Sequence, residues 1–98
     1  MNDHLLHPSR ILVVDDQEDN ALLLQAVLAR AGYTAVETMT DPTAVLARCS
    51  ERSPDLVLLD WHMPGRSGPE VLQDIAFLTE EPNWMPVLVV TVDIAPET

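Results

Sequence analysis

Two short apolar runs, Ile11-Leu12-Val13-Val14 and Leu56-Val57-Leu58-Leu59, both end in aspartate, the first at Asp15-Asp16 and the second at Asp60. A continuous apolar run of this length, stopped by polar turn residues, reads as a strand buried on both faces. Strands of that kind belong to parallel sheets covered by helices, and open sheets of this type build their sites at the carboxyl ends of their strands. The pattern therefore predicts one pocket lined by Asp15, Asp16 and Asp60. Like charges repel there by a few kcal/mol per pair at about 4–6 Å and an effective dielectric near 20. A fold retains such a cluster where a hard cation or a phosphoryl group is to occupy it.

Composition narrows the class. The 98 residues suit a single domain, and their 47% hydrophobic content excludes a disordered chain. No apolar run nears the ~20 residues that span a bilayer, so no membrane partner is expected. The first eight residues lack the basic flank and apolar core of a signal peptide. Residues 1–9 read as a polar tail. Cys49 has no second cysteine to pair with, which points to a reducing, cytoplasmic setting and a packing role. The formal charge of −11 argues against nucleic acid as a partner through this segment. All five basic residues are arginine, and the chain contains no lysine.

Along the chain, strands are expected at 10–14, 34–38, 55–59 and 87–91. Helices are expected between them. The first opens at Gln17-Glu18-Asp19-Asn20, carries Leu22, Leu23, Val27 and Ala31 as its apolar stripe with Leu24 and Leu28 beside it, and stops at Gly32. The second starts at Asp41-Pro42 and ends before Ser53-Pro54. The third runs over 68–79 with Val71, Leu72, Ile75 and Leu78 inward. Alternating strands and helices imply right-handed crossovers and an α/β, doubly wound parallel sheet. Strand order 2-1-3-4 sets the first and third strands side by side, which brings their terminal aspartates together.

Taken with Met63-Pro64-Gly65, Gly68 and Val89-Val90-Thr91, these runs resemble the receiver domain of bacterial two-component response regulators, with the match covering 10–98. The resemblance implies a flavodoxin-like fold and a phosphorelay switch. On that basis Asp60 would accept a phosphoryl group from a histidine kinase or phosphotransfer protein. Asp15, Asp16, Asp60 and the His62 backbone carbonyl would hold Mg²⁺, and Thr91 would supply the switch hydroxyl. The chemistry suits those roles, because an ionised carboxylate attacks phosphorus and phosphoryl transfer needs mainly alignment and charge neutralisation.

The family also carries a lysine on a fifth strand, and this chain has none, so the domain is expected to be C-terminally incomplete, with an output domain lying beyond Thr98. Val92 follows Thr91 where the family has a smaller residue, implying a narrower pocket.

Other readings compete. Asp15-Asp16 could cap the first helix, and Thr91 could be an ordinary β-branched strand end. Without the lysine, the domain could act as a non-cycling pseudo-receiver that serves as an interaction module. A phosphohydrolase with an Asp nucleophile needs an acidic residue two positions on, and His62 stands there instead. Neither phosphorelay reading requires a turnover enzyme. Trp61 and Trp84 are expected to pack over the rim and the end of the third helix, and Met39, Met63 and Met85 to fill gaps. Without a fifth strand, Val87 to Thr91 would be an edge that carries none of the Lys, Pro or bulge devices that blunt one, so self-association through the fourth strand is expected.

Overall fold

The computed structural model describes residues 9–90. Residues 1–8 of the tail, Thr91 and Val92 lie outside the described residues. Strand β1 (Ile11–Val14), helix α1 (Glu18–Arg30), β2 (Val36–Met39), a 3-10 turn (Pro42–Ala44) running into α2 (Val45–Glu51), β3 (Leu56–Asp60), α3 (Gly68–Ile75) with a 3-10 extension (Ala76–Thr79), and β4 (Val87–Val90) follow one another. The four strands form one parallel sheet in the order β2-β1-β3-β4, as expected.

Alternation along the buried strands divides the core between the two faces. Leu12, Val14, Val57 and Leu59 pack under α2 and α3 with Val45, Cys49, Val71 and Ile75. Ile11, Val13 and Leu58 pack under α1. Met63 and Met85 are buried and fill the first cluster, with Met39 against it. Cys49 is fully buried there, consistent with a packing role.

The helix ends follow their local chemistry. After α1, Gly32 takes φ +103°, the Gly32 N–H donates to the Ala29 carbonyl at 3.0 Å and the Tyr33 N–H to the Leu28 carbonyl at 2.9 Å. That pair of bonds is a Schellman termination, and it needs a left-handed residue at this position. The Asp41 carboxylate accepts from the Thr43 N–H at 3.0 Å before Pro42, as the start signal implied. Ser67 and Glu70 form a reciprocal capping box at the start of α3.

Helix α1 departs from expectation in its orientation. Leu22, Leu23 and Val27 are 47%, 58% and 54% exposed, and the face against the sheet is Ala21, Leu24 and Leu28. Residues 21–29 are apolar at every position but Gln25, so their pattern has no single phase. Ala21, which is 1% exposed, sets the phase, because its small side chain lets the helix backbone approach the strands. Trp84 also departs: it is exposed, at φ +51°, and does not pack over α3. β2 begins two residues later than expected, because the Schellman turn occupies the stretch before it.

These assignments separate two substitutions. Ile75→Ala should cost about 2–5 kcal/mol, the usual range for truncating a fully buried aliphatic residue. Leu22→Ala should change stability by no more than about 0.5 kcal/mol. Denaturant midpoints measure both, and an equal loss in the two variants would contradict the orientation of α1.

Candidate functional site

β1 and β3 are hydrogen-bonded neighbours in parallel register, with Val14 opposite Leu59. The next residue on each strand is therefore an aspartate, and the two face each other across the sheet edge. The Asp15 N–H donates to the Met39 carbonyl at 3.0 Å, which holds it in line with β2. Asp60 is the last residue of β3 and pairs with Val90 on β4. One carboxylate oxygen from each of Asp15, Asp16 and Asp60 lies within 4.8 Å of the others. The expected acidic cluster is thus assembled at the carboxyl edge of the sheet.

Burial makes the cluster electrostatically demanding. Asp15 is 1% exposed and Asp60 8%, with Asp16 half-buried beside them. Asp15 Oδ1 accepts a hydrogen bond from the Gln17 N–H at 2.9 Å, whereas Oδ2 is buried with no partner among the described residues. Burial pushes the Asp15 carboxyl above the ordinary carboxylate range. The Gln17 N–H opposes this, and the neighbouring charges of Asp60 and Asp16 add to it. A buried acceptor without a donor is costly, and a cation is the simplest group able to satisfy it together with two adjacent carboxylates. The donor set is all oxygen, which suits a hard ion such as Mg²⁺.

The loop after β3 is fixed by contacts that sequence reasoning missed. The Trp61 N–H donates to the Val90 carbonyl at 3.3 Å, and the Gly68 N–H to the Trp61 carbonyl at 3.2 Å. A Cβ on Gly68 would sit 2.6 Å from Trp61 Cα and 2.7 Å from the Asp60 carbonyl oxygen. Only glycine lets the first turn of α3 press this closely on the strand end that carries Asp60. Half-buried Trp61 lies against that same turn, at the rim as expected. Farther along, Arg66 grips Asp74 through Nε to Oδ2 at 2.7 Å and Nη2 to Oδ1 at 2.5 Å. The guanidinium holds the Asp74 carboxyl below its ordinary range. His62 is exposed, and its N–H stands 3.4 Å from Asp60 Oδ1, a long contact. The switch residue expected at Thr91 lies outside the described residues.

The raised Asp15 carboxyl has a consequence for stability. Its proton is held more tightly in the folded protein than in the unfolded chain, so in metal-free buffer its ionisation disfavours folding as pH rises through the carboxylate range. Asp15→Asn should therefore raise the unfolding midpoint at pH 7, with a gain that shrinks as pH falls below that range. A gain that grows on acidification would contradict the burial cost.

Comparison with known proteins agrees with this geometry. Residues 11–98 match the model of the response regulator receiver domain. Over 89 residues, 90% of this chain, the sequence is 34% identical to the sensory/regulatory protein RpfC of Xanthomonas campestris pv. campestris. Over 85 residues it is 41% identical to the response regulator PleD of Caulobacter vibrioides. The chain spans 12% of the length of RpfC and 18% of that of PleD. The N-terminal domain of a response regulator receiver protein from Methanoculleus marisnigri JR1 superposes with a TM-score of 0.73 at 32% identity, covering 94% of this chain and 72% of that one. The strand order, the edge that gathers the three aspartates and these matches lead to one assignment: the chain belongs to the receiver domain family of two-component response regulators.

Proposed function

We propose that this receiver is a phosphorylation-controlled switch whose acceptor is Asp60, with the phosphoryl group coming from a histidine kinase or phosphotransfer protein. The observation that carries the reading is the convergence of Asp15, Asp16 and Asp60 within 4.8 Å, with a buried Asp15 oxygen lacking a partner among the described residues. Asp15, Asp16, Asp60 and the backbone carbonyl of His62 are the groups that would hold Mg²⁺. When bound, the ion neutralises the carboxylates and the phosphoryl oxygens and so permits their close approach.

The residues of the chain do the rest. An Asp60 carboxylate oxygen forms the new bond to phosphorus as the bond to the donor breaks, with the electron pair leaving on the donor atom. Gly68 and the Trp61 backbone bonds hold that carboxylate at the rim. Thr91 follows Val90, the residue paired with Asp60, which supports its reading as the hydroxyl that turns toward the phosphoryl group. An output domain elsewhere in the same protein and a cytoplasmic location complete the reading. It is supported by the far greater length of the relatives and by the single unpaired cysteine. No helix among the described residues is long and apolar enough to cross a membrane.

Incubation with a small acyl-phosphate donor and Mg²⁺ should place acid-stable, base-labile label on Asp60 alone. In these 98 residues the labelling should be weak, because no lysine is present to balance the incoming charge. Asp60→Asn should remove the label, and label retained in that variant would move the acceptor elsewhere. The same absence of lysine favours a second reading, a pseudo-receiver that binds partners without cycling. Intact Mg²⁺ binding with no label from any donor would select it.

Self-association through β4 is proposed on a separate observation. Among the described residues β4 pairs only with β3, and Leu88 and Val89 are exposed on it. An apolar, unpaired strand edge is a template for a second copy. Sedimentation of the purified chain should show a dimer or larger species at micromolar concentration. A folded, dilute monomer with cooperative unfolding would overturn this.

A further inference from the structure

The end of the sheet remote from the aspartates has the opposite chemistry. Three of the five arginines, Arg10, Arg48 and Arg52, line one cavity of about 280 Å³ there, in a chain whose formal charge is −11. They come from separate parts of the sequence. Arg10 precedes β1, Arg48 lies in the last turn of α2, and Arg52 caps that helix. The register that sets Ile11 opposite Val36 and Leu56 brings these ends together, with buried Pro54 in the wall before β3.

The three guanidinium groups are not equivalent. Arg48 is committed to the fold: it makes a forked ion pair with Glu37 on β2, and its Nη1 donates to the Arg52 carbonyl at 3.2 Å. It thereby fixes the backbone that carries Arg52. The Arg10 backbone is tied in a similar way, its N–H donating to Asp55 Oδ2 at 2.8 Å. The Arg10 and Arg52 side chains themselves have no carboxylate within salt-bridge distance among the described residues, although the chain has 16 acidic residues. Three arginines thus line the cavity together with one acidic residue, Glu37, while the Asp55 carboxylate is engaged by the Arg10 N–H. Ile11, Ala35, Val36 and Pro54 supply an apolar wall, and Thr34 a hydroxyl.

We propose that this cavity binds a small phosphate monoester, with Arg10 and Arg52 clasping the dianion and the apolar wall receiving its organic body. A guanidinium presents a planar fork matched to phosphate oxygens, and Arg10 and Arg52 offer two such forks with no carboxylate partner among the described residues. The volume falls just below the usual range for ligand cavities, about 300–1,000 Å³, and so suits only a small ester. The acidic cluster, at the other end of β1, cannot take the same ligand without a cation.

The test is a titration of the full chain, followed by amide NMR in metal-free buffer, with phenyl phosphate, inorganic phosphate and succinate as separate probes. Phenyl phosphate should give saturable shifts confined to residues 10–12, 34–37 and 48–54, and should bind more tightly than inorganic phosphate. Arg10→Gln and Arg52→Gln replace exposed residues, so the fold should be kept. Each should weaken binding about tenfold, the loss of one charge-assisted contact. Arg30→Gln, which removes an arginine outside the cavity, should bind as the parent does. Non-saturable shifts, shifts spread equally to Arg30 and Arg66, or unchanged affinity in the two cavity variants would overturn the site. Succinate binding as tightly as phenyl phosphate would overturn the assignment to phosphate.

Discussion

The parallel pairing of β1 with β3 is the constraint on which the rest of this structure depends. It places two strands that are adjacent in space but 41 residues apart in sequence (Val14 to Leu56, inclusive of neither) in register, so that each delivers its terminal aspartate to one point. Both strands are buried on both faces, and that burial holds the register. A slip of one residue would turn every side chain of the strand to the other layer. The core thus holds the carboxylates together against their own repulsion. Local stability and site geometry are opposed here, as the buried Asp15 oxygen without a partner among the described residues shows.

The surroundings of the cluster explain how that opposition is contained. Among the described residues only one Asp15 oxygen has a partner, the Gln17 N–H, and the loop beyond Asp60 is clamped by Gly68, the capping box and the Arg66–Asp74 pair. The clamps lie beside the cluster and donate no cationic group to it, so the excess negative charge is left for a ligand to balance. The arginines are instead concentrated at the opposite end of the sheet, where Arg48 is spent on Glu37. Three arginines thus gather at the amino edge, beside Glu37 and Asp55, and three aspartates at the carboxyl edge.

Much of this was legible in the sequence because it is written in short, local signals. The apolar runs ending in Asp15-Asp16 and Asp60, the Gly32 stop and the Asp41-Pro42 start each rest on a few adjacent residues, and strand order followed from the alternation of elements. The orientation of α1 was not legible, since residues 21–29, apolar at every position but Gln25, have no preferred face until the strands beneath them are in place. Trp84 failed for a related reason: the turn that reverses the chain into β4 carries its side chain outward. The Arg66–Asp74 pair and the arginine cavity are tertiary: Arg66 stands in the loop before α3, and the cavity residues come from separate elements. Gly68 had a visible place in a helix start, but its reason, the nearness of the Asp60 carbonyl, exists only in three dimensions.

The central claim is that the three aspartates form a site for a divalent cation. Trp61 adjoins Asp60 and reports on it, and Trp84 is exposed and removable by Trp84→Phe. Titrating Mg²⁺ into the Trp84→Phe protein should therefore give a saturable change in Trp61 fluorescence, and adding Asp16→Ala should abolish it. The same titration curve with Asp16 replaced would contradict the account.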